Sequence, residues 1–482
     1  MPRLSTLLPF ALTALAGVDA LSLYKRDAPA TLELPITGYR SSRPLQKRDS
    51  TGEIPVTNGM LSYYSLNLTL GTPAQHLSLA LDTGSSDIWV NVADSDYCSG
   101  KGDVCKPYGF YDSDASSTSK SVGTSFNNTY AGGTNAYGPY LTDKLKMGDV
   151  EIDHMQFGVA EQSTSRQGIV GIGYDTNTNQ GQKGKIYPNL PQALVDSGAI
   201  KSPAYSIWLN DLLASQGSIL FGGVNKAKYH GSLQSVPVIP VYGRYYSLAI
   251  ALTEVSVENG DDSKSIDTTL PLAVSLDTGS VLTMLPKKLV DKIYSELDAT
   301  YVEKYGVAYI DCDKANKDYS IKYSFSGATI TVGIDELVFP AAEPGFPKGT
   351  CIFGIVPSAE GVNLLGDTFL RSAYVVYDLA NNEVSLANTN FKPGDEDIHE
   401  IGTGTDAVPG ATRVKSAVSS ATGNGVATAT AGGPTLPGVT QTAVAGTGTA
   451  AAESTSSGLG AMPTGNIKLL SGLAGAGLLL AL

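Results

Sequence analysis

The sequence predicts a mostly-β chain whose middle consists of two related halves. The tetrapeptide Asp-Thr-Gly-Ser is written twice, at Asp82–Ser85 and at Asp277–Ser280. Each copy follows an alternating apolar run, Leu77-Ser78-Leu79-Ala80-Leu81 and Leu272-Ala273-Val274-Ser275-Leu276. That alternation is the period of a half-buried strand. Much later each half carries an apolar pair followed by glycine, Ile169-Val170-Gly171 and Leu364-Leu365-Gly366. Glycine at such a place lets a neighbouring backbone come close.

Taken in chain order, residues 1–20 read as a secretory signal, with Arg3 as the positive start, Leu7 to Ala16 as the apolar stretch and Val18-Asp19-Ala20 as the small-residue exit. Two dibasic pairs follow, Lys25-Arg26 and Lys47-Arg48, so residues 21–48 are expected to be a propeptide trimmed after Arg48. Residues 49–235 and 236–395 are expected to form the first and second lobes. Strands are expected at Tyr64–Leu70 and Tyr374–Leu379, and helices around Pro191–Ser197 and Lys288–Thr300. From 396 to 457 the chain is rich in Ala, Thr, Gly, Ser and Pro, with too little apolar bulk for a core, and reads as a glycosylated stalk. Residues 458–482 end in an apolar tail behind the small residues Ser456, Ser457 and Gly458, any of which is a candidate for glycolipid attachment with loss of the tail. A membrane-spanning helix is the rival reading of that tail, but its apolar stretch is short for a span.

Composition excludes several classes. The net charge of −13 argues against nucleic acid as a partner. The four histidines are scattered without ligand spacing, so no metal and no cofactor are expected. The four cysteines, Cys98, Cys105, Cys312 and Cys351, contain no Cys-x-x-Cys and permit three disulfide pairings. The expected pairing is Cys98–Cys105 with Cys312–Cys351, one local loop in each half. Glycosylation sequons stand at Asn67 and Asn127, and Asn67 falls in a strand, where it could be buried.

Two strands that each end in a carboxylate at a tight turn supply what a proton-sharing acid/base dyad requires. A polysaccharide hydrolase also uses two carboxylates. It does not account for the doubled tetrapeptide, and two tryptophans are few for stacking on sugars.

From Gly59 to Phe391 the chain resembles the pepsin-type aspartic peptidases. The first motif continues as Asp82-Thr83-Gly84-Ser85-Ser86-Asp87-Ile88-Trp89-Val90, close to that family's signature. The segments Gln167–Tyr174, Phe221–Tyr229 and Leu365–Tyr374 look like the fungal candidapepsin and yapsin branches. The resemblance implies an all-β, bilobal, pepsin-like fold with an active-site cleft between two related lobes. It implies Asp82 and Asp277 as the catalytic pair and a flap near Asn128–Gly133 carrying Tyr130, with Ala131 where the family has glycine. The short Cys98–Cys105 loop stands where yapsins carry a long acidic insertion. In this reading Thr83 and Thr278 lock the two turns together, Gly84 and Gly279 let amides reach the carboxylates, and Ser85 and Ser280 bind the outer carboxylate oxygens. Trp89 stands behind Tyr130 as its hydrogen-bond partner. The expected molecule is a monomeric endopeptidase acting on polypeptides at acid pH and tethered to the cell membrane by its glycolipid. The alternative is a catalytically inactive relative serving as a binding or cell-wall protein, although such relatives typically lose one of the aspartates.

Overall fold

The computed structural model describes residues 29–40 and 62–421, apart from 101–102, 131–132, 215, 241–242, 267, 304, 341–347 and 359–361. The expected signal, the Lys47-Arg48 pair and the attachment residues Ser456, Ser457 and Gly458 lie outside the described residues.

Strands dominate, and the two halves repeat one motif. In the first half the alternating run forms β3 (Gln75–Asp82), which follows β1 (Leu32–Arg40) and β2 (Ser62–Leu70). Next come β4 (Ile88–Asn91), then β5 (Lys120–Thr129), β6 (Asn135–Met147) and β7 (Val150–Ala160), then β8 (Gln162–Ser163) and β9 (Ile169–Gly171). β3 runs parallel to β9, with Asp82 beside Gly171, while β4 pairs antiparallel with β9 and parallel with β7. In the second half Leu272–Leu276 runs parallel to Leu364–Leu365. Thr283–Leu285 pairs antiparallel with that same short strand and parallel with Ile355–Pro357. The apolar pair before each late glycine is thus the partner of the strand that delivers the aspartate. Both glycines stand where the sequence reading put them. A Cβ on Gly171 would meet the Ser86 amide at 2.6 Å, and one on Gly366 would meet the Ser280 carbonyl at 2.3 Å.

The halves are not closed separately. A 15-stranded sheet runs through both. Its hinge is β10 (Ala204–Trp208) against Ala373–Asp378, with Tyr205 opposite Tyr377. Tyr205 and Tyr377 stack with ring centroids 5.1 Å apart. The main apolar core likewise draws on both halves, from Leu66 and Val170 to Leu276 and Phe353.

The helices fall where expected and end where local backbone dictates. α1 covers Leu190–Asp196, with Pro191 in its first turn, where a missing amide costs nothing. α2 covers Lys287–Leu297 and buries Leu289, Val290, Ile293, Tyr294 and Leu297 along one face. It stops short of the expected Thr300 because Asp298 takes a left-handed conformation, φ 58°, which terminates a helix. A third, α3 (Asp367–Leu370), is a single turn after the second late glycine. Both expected disulfides, Cys98–Cys105 and Cys312–Cys351, are formed.

At both ends the body extends beyond the expected lobe limits. β1, inside the expected propeptide, sits in the large sheet between β2 and β11 (Gln216–Phe221), with Leu34 and Ile36 buried. Its Glu33 forms an ion pair with Lys228, whose ammonium also donates to Ser218 Oγ at 2.7 Å. At the other end, the second lobe does not stop at 395. Ile398–Glu400 pairs with Gly223–Asn225, and Ala411–Arg413 runs parallel to Leu233–Pro237. Ile401 and Val408 are buried, and Val418 and Ala421 pack on Ile239, Ala251 and Ala273. The reading of a stalk from 396 is corrected to this extent: residues 396–421 are packed on the body. A few well-spaced apolar side chains suffice for that, and an average over the segment's composition hides them.

Candidate active site

The strand ahead of each tetrapeptide carries its carboxylate into the centre of the molecule. Asp82 and Asp277 are both completely buried. They belong to turns 195 residues apart in sequence that are cross-linked at the threonines. The Thr83 amide donates to Thr278 Oγ1 at 3.1 Å, and the Thr278 amide donates to Thr83 Oγ1 at 3.0 Å. Each hydroxyl then donates across the interface, Thr83 to the Leu276 carbonyl at 2.8 Å and Thr278 to the Leu81 carbonyl at 2.9 Å. The amide and the hydroxyl of each threonine are therefore used across the interface, and the turns are held in one relative position.

Each carboxylate is bound by its own turn. The Gly84 amide donates to Asp82 Oδ1 at 2.8 Å, and the Gly279 amide donates to Asp277 Oδ1 at 2.9 Å. Ser85 Oγ donates to Asp82 Oδ2, and Ser280 Oγ donates to Asp277 Oδ2 at 2.8 Å. The two carboxyls lie close enough for each to act on the other's ionisation. The chain thus presents two buried acids in matched settings, near enough to share one proton.

The comparisons with known proteins agree with this geometry. A model of the family described as "Eukaryotic aspartyl protease" matches residues 63–389. The chain belongs to that family. The protease is 48% identical over 433 residues to the "Probable aspartic-type endopeptidase opsB" of Aspergillus oryzae, covering 87% of this chain and 88% of that one. It is 36% identical over 404 residues to the "Aspartic proteinase yapsin-3" of Saccharomyces cerevisiae, covering 81% of this chain and 77% of that one. Its fold is that of the aspartic proteinase from Irpex lacteus, with a TM-score of 0.57 at 22% identity over 75% of this chain and 98% of the other.

Electrostatics in the protease follow from burial. Loss of water pushes the Asp82 carboxyl above its ordinary range, partly offset by the hydrogen bonds from Ser85 and Gly84. Asp277 is pushed further up, first by burial and then by the negative charge of Asp82. The pair therefore keeps one proton to a higher pH than an ordinary carboxyl would, and that proton belongs to the pair rather than to one residue.

The segment expected to be the flap forms the hairpin of β5 and β6, with Thr129 opposite Asn135 and the Tyr130 amide donating to the Thr134 carbonyl at 2.8 Å. Ala131 lies outside the described residues. Tyr130 is buried, and Trp89 Nε1–H donates to its hydroxyl at 2.8 Å. The sequons are both on open surface: Asn67 and Asn127 are exposed. Asn67 escapes burial because it sits on the outward face of β2, whose even-numbered neighbours Leu66 and Leu68 point into the core.

Sequence reasoning missed two things here. One is the second duty of the glycines: a Cβ on Gly84 would lie 2.7 Å from Asp277 Oδ1, and one on Gly279 would lie 2.6 Å from Asp82 Oδ1. Each glycine makes room for the opposite carboxylate, a contact that no local pattern encodes. The other is Asp87, a buried acid inside the quoted motif that was given no role.

Proposed function

We propose that the chain is a secreted, surface-anchored endopeptidase that hydrolyses polypeptides at acid pH and is made as a zymogen. The observation that carries the hydrolytic reading is that two fully buried carboxyls, Asp82 and Asp277, stand on turns locked to each other through Thr83 and Thr278. With one proton between them, the ionised side takes a proton from water and the protonated side donates to the peptide carbonyl oxygen. Water adds to the carbonyl carbon, a tetrahedral diol forms, and the leaving nitrogen collects a proton as the C–N bond breaks. No covalent intermediate arises and no metal is required. The Thr83–Thr278 cross-link holds both acids still, so their alignment is made on folding rather than during the reaction.

The sign of the pH dependence follows. As pH rises from the strongly acid end, the pair loses its first proton and activity climbs. As pH rises further, the retained proton leaves and activity falls. Because both carboxyls are held above their ordinary range, the falling limb is displaced upward, giving a bell with its maximum in the acid range. The mature enzyme, trimmed after Arg48, should cleave a denatured protein along this profile, and the transition-state mimic pepstatin should block it. A rate that keeps rising through neutral pH, or indifference to pepstatin, would remove the reading.

The zymogen reading is supported by a repeat in the sequence. Residues 33–37, Glu-Leu-Pro-Ile-Thr, occupy the slot between β2 and β11, and residues 53–57, Glu-Ile-Pro-Val-Thr, recur beyond Lys47-Arg48. Proline offers no amide to a sheet, so a slot that accepts Pro35 opposite Ser218 suits Pro55 equally. Cleavage after Arg48 would release the first copy and leave the second, with its own glutamate for Lys228, attached to the body. The mature protein should therefore begin at Asp49 and be freed from membranes by a phospholipase that cuts glycolipid anchors. Active protein still joined to residues 32–40, or protein secreted freely at full length, would count against this part.

A further inference from the structure

The hydrolytic step leaves several buried acids unused, and Asp87 is the one inside the first motif. Asp87 stands five residues after Asp82 (87 − 82), in the turn ahead of β4, and is 2% exposed. The corresponding position of the second half, five after Asp277 (282 − 277), is Leu282, also buried. An apolar side chain thus meets the packing need at this position of the motif. The charge stands only in the half that carries the flap.

Four donors converge on that charge. Tyr140 and Tyr187 hydroxyls donate to Asp87 Oδ1 at 2.6 and 2.5 Å. The Asn179 amide donates to Oδ2 at 2.7 Å, and Asn128 Nδ2 donates to Oδ2 at 3.3 Å. Asn128 is on β5, two residues before Tyr130, and Tyr140 is on the returning strand β6. Asn179 and Tyr187 lie in the connection between β9 and α1. The same connection is tied to the flap strand by Asn179 Nδ2, which donates to the Asn127 carbonyl at 2.8 Å, and by Gln180 Nε2, which donates to Thr124 Oγ1 at 2.5 Å. It reaches the catalytic turn through Asn177 Nδ2, 3.4 Å from the Gly84 carbonyl. One carboxylate therefore joins both flap strands and this connection to the motif that delivers Asp82.

We propose that Asp87 is a positioning residue for hydrolysis: it pins the base of the flap and the 175–187 connection to the catalytic turn, and so sets where Tyr130 closes over the bound polypeptide. The proposal rests on the peptidase reading of Asp82 and Asp277. Burial pushes the Asp87 carboxyl above its ordinary range while the four donors pull against that shift, and four hydrogen bonds converging on one buried acceptor make a firm anchor at the root of a hairpin. An anchored root lets the tip move while its base stays in register with the acids. Trp89, two residues on in β4, donates to the Tyr130 hydroxyl, so the flap tyrosine is held at its hydroxyl as well as through the base of its hairpin.

The test uses the enzyme as the producing cell matures it, with active sites counted by pepstatin titration so that folded, competent molecules alone are compared. Asp87→Asn removes the charge at constant shape, and Asp87→Leu copies the other half. Each should lower kcat/KM per titrated site by about 10-fold or more, with KM raised as well as kcat lowered, because closure over the substrate is impaired. Tyr187→Phe, which removes one donor and keeps the charge, should cost about 3-fold. A purely structural Asp87 would lower the melting temperature while kcat/KM per titrated site stayed within about twofold of wild type, and that result overturns the proposal. If neither Asp87 variant folds, Tyr140→Phe and Tyr187→Phe decide it: a double variant within about twofold of wild type overturns it equally. A wild-type enzyme insensitive to pepstatin would instead bring down the peptidase reading itself.

Discussion

Asp82→Asn should abolish hydrolysis, with kcat lower by at least about 10³-fold, and should leave the fold intact. Asparagine keeps the shape: its Oδ1 can still accept from the Gly84 amide, while its Nδ2, in place of the oxygen that accepted from Ser85, would donate to the Ser85 hydroxyl. It can neither take a proton from water nor share one with Asp277. Asp277→Asn should fail to the same extent, because the pair works as a unit and removing either member removes the function. The two losses should not multiply in the double variant. Stability should move the other way. Each carboxyl is held above its ordinary range in the fold, so it binds its proton more tightly folded than unfolded. Such a group costs nothing below its unfolded value and destabilises progressively as pH rises toward its folded value. The double Asn variant should therefore melt above wild type at neutral pH and converge with it in strong acid. Retained activity in either single variant, measured with a purified sample free of wild type, ends the dyad mechanism.

Gly84→Ala is the second large effect, and it acts on the opposite lobe. The added Cβ would lie 2.7 Å from Asp277 Oδ1 and 2.9 Å from its carboxyl carbon. Neither partner can retreat cheaply, since Asp277 is held by Gly279 and Ser280 and the turn is held by Thr278. A displacement of even a fraction of an ångström between two acids that share a proton should lower kcat by about 10²-fold or more. Gly279→Ala should behave alike, with its Cβ 2.6 Å from Asp82 Oδ1. Both should melt lower than wild type, despite the small stabilisation alanine gives by restricting the unfolded chain. Gly394→Ala is the control, because a Cβ there meets nothing within 4 Å. Near-normal kcat in Gly84→Ala would show that the two turns sit further apart than described.

The matched pair Asp82 and Asp277 was legible because each aspartate is announced by local signals. An alternating run ends at a turn tetrapeptide, and a later apolar pair with glycine closes the motif in each half. The disulfide pairs were open to local-loop reasoning for the same reason, although four cysteines alone leave three pairings possible. What escaped reading depends on who the neighbour is. Asp87 looks like one more turn residue until Tyr140, Tyr187, Asn179 and Asn128 arrive from separate segments. The stretch after 395 looks like stalk by composition, yet Ile401 and Val408 find buried places against the sheet.

By itself, then, the sequence determined the two halves, the strands that lead to Asp82 and Asp277, and the chemistry two such acids can perform. These rest on periodicity and turn geometry, which act over a few residues. Only the tertiary structure decided that each glycine clears space for the other half's carboxylate, that β1 fills a slot in the large sheet, and that Asp87 ties the β5–β6 hairpin to the turn carrying Asp82. Those are contacts between residues tens to hundreds of positions apart, and packing brings them together without leaving a pattern along the chain.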